Sequence, residues 1–388
     1  MTDKADPDIS KPRLALLVNM VAPYRVPVYS RLAEFFDLHV LHGKMEGNRN
    51  WKETEVPGAA VRQAWGWQWT FQRTESGKVI DKRFFHITPG YLTELVRIRP
   101  EAIISNEVGF RTFVALTYGA LFRVPVWVWW GGTLHTERNL DRVRRIIRRI
   151  AAKLVKHWIS YGQTTTEYLL SLGISHSRIL QIQNCVDESW YINPAPPSLP
   201  GILRPVVLHV GQFIGRKGVN QLIEAAATLQ SEGLEFSLVL VGDGPDKAEL
   251  QKQATDLNLR DVHFIAARSP EKMASYYHNA DVLVFPTIHD VWGLVANEAI
   301  LSGLPVLCSK YAGCAAELFA PECIFDPLDP GEFVSALRKA VRGEIPRADP
   351  AVLKTSREVA EMIAVAIRAA MERKMKENAQ RWRQSESG

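Results

Sequence analysis

Residues 286–313 read PTIHDVWGLVANEAILSGLPVLCSKYAG, and this stretch decides the fold. The apolar run Asp281–Phe285 comes directly before it, closes at a proline and predicts a buried strand. Residues Gly293–Leu301 then have helical spacing, with Gly303 where a helix C-cap belongs. Leu304–Cys308 predicts the next buried strand. Strand, loop, helix and strand make a βαβ crossover, which implies a parallel sheet.

Two carboxylates flank the loop-to-helix junction of that unit. Asp290 lies in the loop beyond the carboxyl end of the strand, where ligands bind in open α/β sheets. Glu298 lies about one and a half turns into the helix. The free amides of Gly293, Leu294 and Val295 at the helix N-terminus can bind an anion. The junction therefore predicts an anion on the amides and polyol hydroxyls on the carboxylates; the alternative is a capping Asp and a surface Glu.

This segment resembles the E-x7-E region of the retaining GT-B glycosyltransferases of family 4, in the variant spelling D-x-W-G-L-V-x-N-E-A. The resemblance runs from about Leu16 to about Leu337, and the more usual family spelling is E-G-F-G. It implies that Asp290 contacts the donor sugar, that Glu298 binds the ribose and that the amides between them meet sugar and phosphate. The implied donor-binding set is Gly211, Arg216, Lys217, Asp290, Val291, Trp292, Gly293, Leu294, Val295 and Glu298.

The turn Gly211–Gly218 follows a predicted strand at 205–210 and reads GQFIGRKG. It holds the position of a phosphate loop without matching a Walker pattern. Arg216 offers a planar fork and Lys217 a point charge. In the family that this chain resembles, the Arg and Lys of this turn bind the donor diphosphate. The alternative is a solvated surface pair.

Composition predicts a globular protein of two domains. The chain has 388 residues, of which 46% are hydrophobic and 23% charged. The net charge of +5 permits anionic partners, and we expect no nucleic acid among them. The cysteines show no CxxC spacing, so we expect reduced core thiols and no metal site: Cys185, Cys308, Cys314 and Cys323.

No targeting or membrane-spanning segment is expected. The first ten residues are polar and acidic and do not read as a signal peptide. The longest apolar stretch, Ala102–Gly132, is interrupted by charged residues and a proline, and it predicts strand, helix and strand. The expected location is cytoplasmic, with peripheral association at the cytoplasmic membrane face as a further hypothesis.

Candidates for the acceptor side or the cleft come from two loops of the amino-terminal half. Asn19 ends a predicted first strand at 13–19, and Tyr24 and Arg25 lie in the loop after it, which in related enzymes faces the cleft. For Tyr24 the alternative is packing within the loop. A second strand, at 124–130, ends at Gly131 and Gly132, where backbone can approach a ligand closely. His135 follows, but we assign it no catalytic role, because relatives place their His directly after the strand.

Trp65, Trp67, Trp69 and Phe71 alternate with polar or small residues, which predicts a strand with an aromatic face. Such a face can stack on sugar rings or dock an apolar lipid acceptor. Ordinary strand packing is the preferred interpretation, because aromatic residues are common in strands.

The segment Arg138–Trp158 contains eight Lys or Arg and a single acid, Asp141, with apolar residues on one helical face. It predicts a basic amphipathic helix. We expect its apolar stripe to face the protein core. The basic side would then be attracted electrostatically to anionic lipid or to a pyrophosphate-linked acceptor. The alternative is a core-packed helix with a solvated basic side.

The sequence thus predicts an α/β protein of the GT-B architecture, with two Rossmann-like doubly wound domains facing across a cleft. The expected divisions are an acceptor-side domain, a Pro-rich linker, a nucleotide-sugar domain and a helical tail that crosses back to the first domain: 1–193, 194–204, 205–345 and 346–388.

The resemblance implies a retaining glycosyltransferase that moves a sugar from a nucleotide-diphosphate sugar to a glycan or lipid-linked acceptor, in polysaccharide or glycoconjugate biosynthesis. Asp290, Arg216 and Lys217 would carry catalysis, without a metal or other cofactor. Two alternatives stay open. One is a GT-B nucleotide-sugar epimerase, and the other is a sugar-nucleotide-binding protein without turnover.

Overall fold

The computed structural model describes residues 11–43, 55–75, 78–193 and 201–386. The first domain alternates strands and helices. Its strands are β1 (Arg13–Val18), β2 (Asp37–His42), β3 (Ala60–Gln63), β4 (Trp67–Glu75), β5 (Lys78–Ile87), β6 (Ala102–Asn106), β7 (Val126–Trp130), β8 (His157–Ser160) and β9 (Ile179–Gln181). Its helices are α1 (Val26–Phe35), α2 (Gly90–Ile98), α3 (Phe110–Phe122), α4 (Arg142–Leu154) and α5 (Gln163–Ser171).

The second domain repeats this alternation. Its strands are β10 (Val206–Val210), β11 (Ser237–Val241), β12 (Val262–Ile265), β13 (Val282–Phe285), β14 (Val306–Ser309) and β15 (Ile324–Phe325). Its helices are α6 (Val219–Ser231), α7 (Lys247–Asp256), α8 (Pro270–Asn279), α9 (Leu294–Leu301), α10 (Ala315–Leu318) and α11 (Pro330–Val341). A long helix, α12 (Ser356–Glu386), ends the described chain.

Both main sheets are parallel and have the strand orders of doubly wound folds. The first is β3-β2-β1-β6-β7-β8-β9 and the second is β12-β11-β10-β13-β14-β15. In each sheet the chain starts near the middle and builds outward in both directions, which leaves a switch point beside the first strand. The predicted βαβ unit is confirmed as β13, α9 and β14, and its two strands are fully buried.

The tail lies on the first domain. One hydrophobic cluster joins Val359, Ile363 and Ile367 of α12 with Val28 and Leu32 of α1. Because this cluster also contains the inner residues of β1 and β2, α12 completes the core of the first domain.

The segment before the linker packs with the second domain. The side chains of Val186 and Tyr191 belong to the core cluster of β10, β11 and β13. His278 of α8 and Ser302 after α9 both hydrogen-bond to the carbonyl of Tyr191, at 3.0 and 3.4 Å. Of the predicted Pro-rich linker, 194–204, residues 194–200 lie outside the described residues, as do the first ten residues of the chain.

Helix α4 differs from its prediction in two ways. It is shorter, because Arg138 precedes it and Trp158 belongs to β8, where the indole is buried. The expectation that its apolar stripe faces the core was wrong. Val143, Ile146, Ile150 and Leu154 are 66%, 56%, 43% and 54% exposed, while the small side chains of Ala151 and Ala152 make the core contact.

The tryptophan segment forms part of a separate antiparallel hairpin, β4–β5. Trp65, Trp67 and Trp69 are exposed, and the rings of Trp65 and Trp67 meet edge to face at 5.6 Å. Ordinary strand packing is therefore wrong for these three residues. The side chain of Phe71 lies outside the described residues.

All four cysteines are free and buried. Within the described ranges, no helix combines the length and the apolar character that crossing a membrane requires.

Candidate functional site

Two loops of the second domain meet at the carboxyl edge of its sheet. One follows β10 and the other follows β13, and the two strands are neighbours. The carbonyl of Arg216 accepts hydrogen bonds from the Ile288 amide at 2.8 Å and the Thr287 hydroxyl at 3.2 Å. The Arg216 guanidinium donates to the carbonyl of His289 at 3.2 Å. Residues about 70 positions apart are thus held in one fixed arrangement.

Lys217 and Asp290 form an ion pair where the loops meet. Lys217 Nζ lies 2.5 Å from Asp290 Oδ2, and each side chain is 14% exposed. Burial raises the pKa of the Asp290 carboxyl, but Lys217 and Arg216 outweigh it and hold that pKa below its ordinary value. Asp290 is therefore ionised at neutral pH and can accept hydrogen bonds from hydroxyl groups.

Two glycines allow the loops to close on the sheet. A Cβ on Gly218 would lie 2.0 Å from the carbonyl oxygen of Pro286, and one on Gly293 would lie 2.3 Å from the ring of Phe285. Gly293 also has a φ of 108°, which side chains disfavour. No side chain caps α9, whose first turn begins at Leu294 and includes Val295. The start of α9 therefore offers backbone amides beside the ion pair.

Val291 and Trp292 turn their side chains away from this junction. The Trp292 indole is buried and donates to Asn297 Oδ1 at 2.8 Å. Asn297 in turn donates to the carbonyl of Asn184 in the first domain at 3.0 Å. Val291 packs against the first-domain core. Their side chains thus join the domains, and the Trp292 backbone amide donates to Asp290 Oδ1 at 3.3 Å.

Glu298 occupies a different environment. Its Oε2 atom accepts a hydrogen bond from the Tyr277 hydroxyl at 2.5 Å, and the Tyr191 side chain faces the same carboxylate. Burial raises the pKa of the Glu298 carboxyl to about 7, and the two tyrosine hydrogen bonds oppose that rise. The alternative of a surface Glu is wrong for this partly buried residue.

Gly211 directly follows β10 and lies close to a buried histidine, His209. A Cβ on Gly211 would lie 3.2 Å from His209 Nε2, and one on Gly242 would lie 1.8 Å from the Gly211 carbonyl oxygen. His209 Nδ1 lies 3.2 Å from the Val284 carbonyl oxygen, and burial lowers the His209 pKa to about 4. His209 is not predicted from the sequence, because a histidine inside an apolar strand carries no motif.

The first-domain loop candidates differ in accessibility. Asn19 accepts a hydrogen bond from Arg111, and Tyr24 is partly exposed. Arg25 is only 4% exposed, with its guanidinium 4.8 Å from the ring centre of Trp129 and 4.5 Å from that of Tyr161. Its position therefore favours a packing role over ligand contact.

Gly131 and Gly132 are buried between aromatic rings. A Cβ on Gly131 would lie 2.4 Å from the Tyr161 ring, and one on Gly132 would lie 2.6 Å from the Trp130 ring. Because glycine has no side chain, the Tyr161 and Trp130 rings occupy the space beside Gly131 and Gly132.

His135 reaches across to the second domain. Its Nε2 atom lies 2.8 Å from the carbonyl oxygen of Ile288, and its ring stacks on Tyr311 at 4.4 Å. Burial lowers the pKa of His135, and Arg138, His289 and Lys310 add to that effect. His289 makes the reciprocal contact, 3.3 Å from the carbonyl oxygen of Thr136. The loop that carries Asp290 is therefore contacted from both domains.

Other cross-domain contacts lie beside Trp292. Thr164 donates to the Gly313 carbonyl at 2.9 Å, and the Gln163 amide donates to Glu317 at 2.9 Å. A Cβ on Gly162 would lie 2.4 Å from the Trp292 ring. The sequence analysis named none of these contacts, since they join segments about 150 residues apart.

Sequence comparison matches residues 203–357 to the family model of the glycosyl transferases group 1. This match covers the second domain of the chain. Its relatives include the lipopolysaccharide glucosyltransferase WaaG of Escherichia coli K12, 36% identical over 143 residues, which are 35% of this chain and 37% of WaaG. The sulfoquinovosyl transferase of Arabidopsis thaliana is 24% identical over 249 residues, which are 58% of this chain and 46% of that protein. The group 1 domain is thus similar to transferases, and the aligned segments span less than half of these two relatives.

The whole chain, in contrast, is matched by solved structures. Anabaena HepE, in complex with UDP and glucose, has a TM-score of 0.65 at 18% identity, over 95% of this chain and 99% of HepE. The similarity confirms the GT-B fold, with the group 1 domain as its second half. Within the described residues, no three His, Cys, Asp or Glu side chains are grouped so that they could hold a metal ion.

Proposed function

We propose that this protein is a retaining glycosyltransferase that transfers a sugar from a nucleotide-diphosphate sugar. One observation carries the proposal: the Lys217–Asp290 pair lies beside the uncapped start of α9, with Arg216 on the same loop. Cations and helix amides suit a diphosphate, and an ionised carboxylate suits sugar hydroxyls. A nucleotide-diphosphate sugar presents both a diphosphate and sugar hydroxyls.

The proposed reaction exchanges one bond at the anomeric carbon for another. The bond from that carbon to the diphosphate oxygen breaks, and a bond to the acceptor oxygen forms on the same face. The acceptor proton passes to the leaving phosphate. Arg216, Lys217 and the α9 amides stabilise the charge that grows on the diphosphate, and Asp290 orients the sugar. Glu298 binds the ribose.

We further propose that no metal ion is needed, because Arg216 and Lys217 place positive charge where a divalent cation would otherwise act. The donor is then the only small molecule that the reaction requires besides the acceptor. HepE was solved with UDP-glucose as well as with UDP, which makes UDP-sugars the first donors to test.

The test is a calorimetric screen of UDP-, GDP- and ADP-sugars, followed by NMR of the donor that binds. We expect slow donor hydrolysis, in the presence of a chelator, with the initial product keeping the anomeric configuration. An inverted product would overturn the retaining mechanism. Binding without any turnover, alone or with glycan acceptors, would favour the non-catalytic alternative. Interconverted nucleotide sugars would revive the epimerase, which nothing in the fold, the site or the relatives supports.

Arg216→Ala tests the diphosphate assignment most cleanly, because the Arg216 side chain is exposed and Lys217 also pairs with Asp290. We expect Arg216→Ala to weaken nucleoside-diphosphate binding by about 1.5–3 kcal/mol, the range of a charge-assisted hydrogen bond. Lys272→Ala, on the exposed side of α8, removes the same charge elsewhere and should change nothing. Equal affinities for all three proteins would remove the assignment.

For the acceptor we propose a glycan or lipid-linked glycan, met at a cytoplasmic membrane face. Support comes from α4, whose exposed apolar stripe is flanked by Arg142, Arg145 and Arg149. Such a helix suits the interface of an anionic bilayer, where each basic residue contributes about 1 kcal/mol. Because the stripe is exposed, the attraction is apolar as well as electrostatic, which extends our expectation from the sequence.

Vesicle co-sedimentation tests this surface. Arg148 is unsuitable for mutation, because it pairs with Glu137 at 2.9 Å and lies 4.2 Å from the ring centre of Trp130. We expect Arg145→Glu/Arg149→Glu to abolish the salt-sensitive part of binding to anionic vesicles. Ile146→Ser/Ile150→Ser should remove the part that persists at high salt. If the parent protein ignores anionic vesicles at low salt, the acceptor is soluble.

A further inference from the structure

The carboxylate of Glu298 is shared between two tyrosines that come from different parts of the chain. Tyr277 lies on α8, 21 residues before Glu298, and is 1% exposed. Tyr191 lies in the segment before the linker and is 3% exposed. The two rings meet edge to face at 5.9 Å, so each limits the movement of the other. The Tyr277 hydroxyl donates to Glu298 Oε2 at 2.5 Å, and the Tyr191 side chain faces the same carboxylate.

Tyr191 has no freedom to leave this position. Its carbonyl is held by His278 of α8 and by Ser302 after α9, at 3.0 and 3.4 Å. Its amide donates to the Glu188 carbonyl at 3.1 Å. The hydroxyl of Tyr191 is therefore aimed by three backbone anchors, two of which come from the helices that carry Tyr277 and Glu298.

The number of hydrogen-bond acceptor positions on Glu298 indicates which ligand groups its carboxylate can bind. An ionised carboxylate has about four lone-pair positions and no proton to donate. The Tyr277 hydroxyl uses one of them, and the Tyr191 side chain, which faces the carboxylate, is placed to use a second. The two that are left match the two donors of a vicinal diol, such as the 2′- and 3′-hydroxyls of a ribose. A protonated Glu298 would lose acceptors and add a competing donor, so it would fit this set of partners poorly.

We propose that Tyr277 and Tyr191 are positioning residues that fix the ionised Glu298 carboxylate in the orientation that accepts both ribose hydroxyls. The inference rests on the proposed ribose role of Glu298 and extends it to the selection of ribo- over deoxyribonucleotides. It also makes this selection depend on pH.

The pH dependence follows from the groups that face the carboxylate. Tyr277 from α8 and Tyr191 from the pre-linker segment face the carboxylate and lower its pKa, and burial raises it. Asp187 and Glu271 face Tyr191 and add negative charge near it. Removal of one hydroxyl donor leaves burial less opposed, which moves the ionisation of Glu298 to higher pH.

The experiment is calorimetric titration with a ribonucleoside diphosphate and its 2′-deoxy counterpart, from pH 5.5 to 8.5. The nucleotide is whichever of UDP, GDP and ADP binds the parent protein. The proteins are the parent, Glu298→Ala, Tyr277→Phe, Tyr191→Phe and the control Tyr276→Phe, which alters the neighbouring buried tyrosine of α8. Thermal unfolding checks that each variant is folded.

We expect the parent to prefer the ribonucleotide by about tenfold or more at neutral pH, in keeping with a site built to hydrogen-bond hydroxyls. Tyr277→Phe and Tyr191→Phe should lose most of this preference at pH 7 and recover part of it at pH 8.5. Their affinity for the deoxynucleotide should stay within about twofold of the parent, because phosphate contacts dominate it. Tyr276→Phe should behave as the parent does.

The outcomes separate the two levels of the claim. If Glu298→Ala keeps the ribose preference, the proposed ribose role is wrong. If Glu298→Ala loses it while both Tyr→Phe variants keep it with an unchanged pH midpoint, the role of the tyrosines is wrong. If Tyr277→Phe does not fold, the Tyr191→Phe result decides alone.

Discussion

Asp290 and Glu298 are eight residues apart in sequence but lie in opposite electrostatic environments. Asp290 is paired with Lys217, which keeps its pKa below the ordinary value in spite of burial. Glu298 faces two neutral tyrosine hydroxyls, and burial raises its pKa to about 7. At Asp290 the nearby cation outweighs the effect of burial on the pKa. At Glu298 the neutral tyrosine hydroxyls do not outweigh it.

Under the proposed function, this difference divides the work between the two acids. A carboxylate that is ionised at neutral pH beside a cation suits charge stabilisation at the reacting sugar. A carboxylate that ionises near neutrality and is aimed by two hydroxyls suits selective hydrogen bonding. One short motif can therefore contain a catalytic and a binding function, set by partners that lie far away in the chain.

The largest expected effect concerns the buried ion pair between Lys217 and Asp290. Lys217→Met leaves a buried carboxylate unpaired and should lower the free energy of unfolding by about 3 kcal/mol. Lys217→Met/Asp290→Asn should recover most of that loss, because no buried charge is left. Urea denaturation measures both.

The control for this prediction is Lys310→Met. Lys310 lies 2.6 Å from Asp326, but its side chain is 49% exposed, so the loss should be below about 1 kcal/mol. If Lys217→Met lowers the free energy of unfolding no more than Lys310→Met does, the buried Lys217–Asp290 pair stabilises the protein no more than an exposed ion pair.

The next effect concerns Glu298 and pH. The pKa of Glu298 is raised in the folded protein, from 4.5 to about 7. Its contribution to stability is therefore present below pH 4.5 and is lost as the pH rises through about 7. Relative to Glu298→Gln, the parent should lose about 3 kcal/mol of unfolding free energy over this window. The exposed control Glu235→Gln should follow the parent, and parallel curves for parent and Glu298→Gln would contradict the raised pKa.

A smaller effect is expected from the contact that His135 of the first domain makes with the Asp290 loop. His135 contacts the carbonyl of Ile288 on the Asp290 loop, whereas the hydroxyl donors to Glu298 come from α8 and the pre-linker segment. His135→Ala should raise the donor KM about fivefold, equivalent to about 1 kcal/mol for one hydrogen bond. Binding of the nucleoside diphosphate alone should not change.

Exposed His176→Ala is the control for that measurement. Should His135→Ala weaken the diphosphate as much as the full donor, the contact would act on the whole nucleotide site and not on the sugar end.

The sequence predicted those parts of the molecule that depend on local pattern. The strand, loop, helix and strand around Asp290 followed from apolar runs, one proline and two glycines. The Arg216–Lys217 turn was placed by its position after a strand. In these cases neighbours in the chain determine both the element and the place of the side chain.

The parts that the sequence missed depend on distant packing. The apolar stripe of α4 has ordinary helical spacing, and nothing in that spacing tells whether the stripe faces the core or the solvent. Arg25 was chosen as a loop residue, but rings from β7 and from the end of β8 enclose it. Tyr191 and Tyr277 reach Glu298 from 107 and 21 residues away, and no local pattern records that.

The most direct test of this account measures binding and turnover for the same two variants. In Asp290→Ala, kcat for donor hydrolysis should fall about 100-fold or more, while the Kd of the nucleoside diphosphate stays within about threefold. In Glu298→Ala, that Kd should rise about tenfold through the lost ribose contacts. If Glu298→Ala binds the nucleoside diphosphate as the parent does, or Asp290→Ala keeps its turnover, the division of work between the two acids is contradicted.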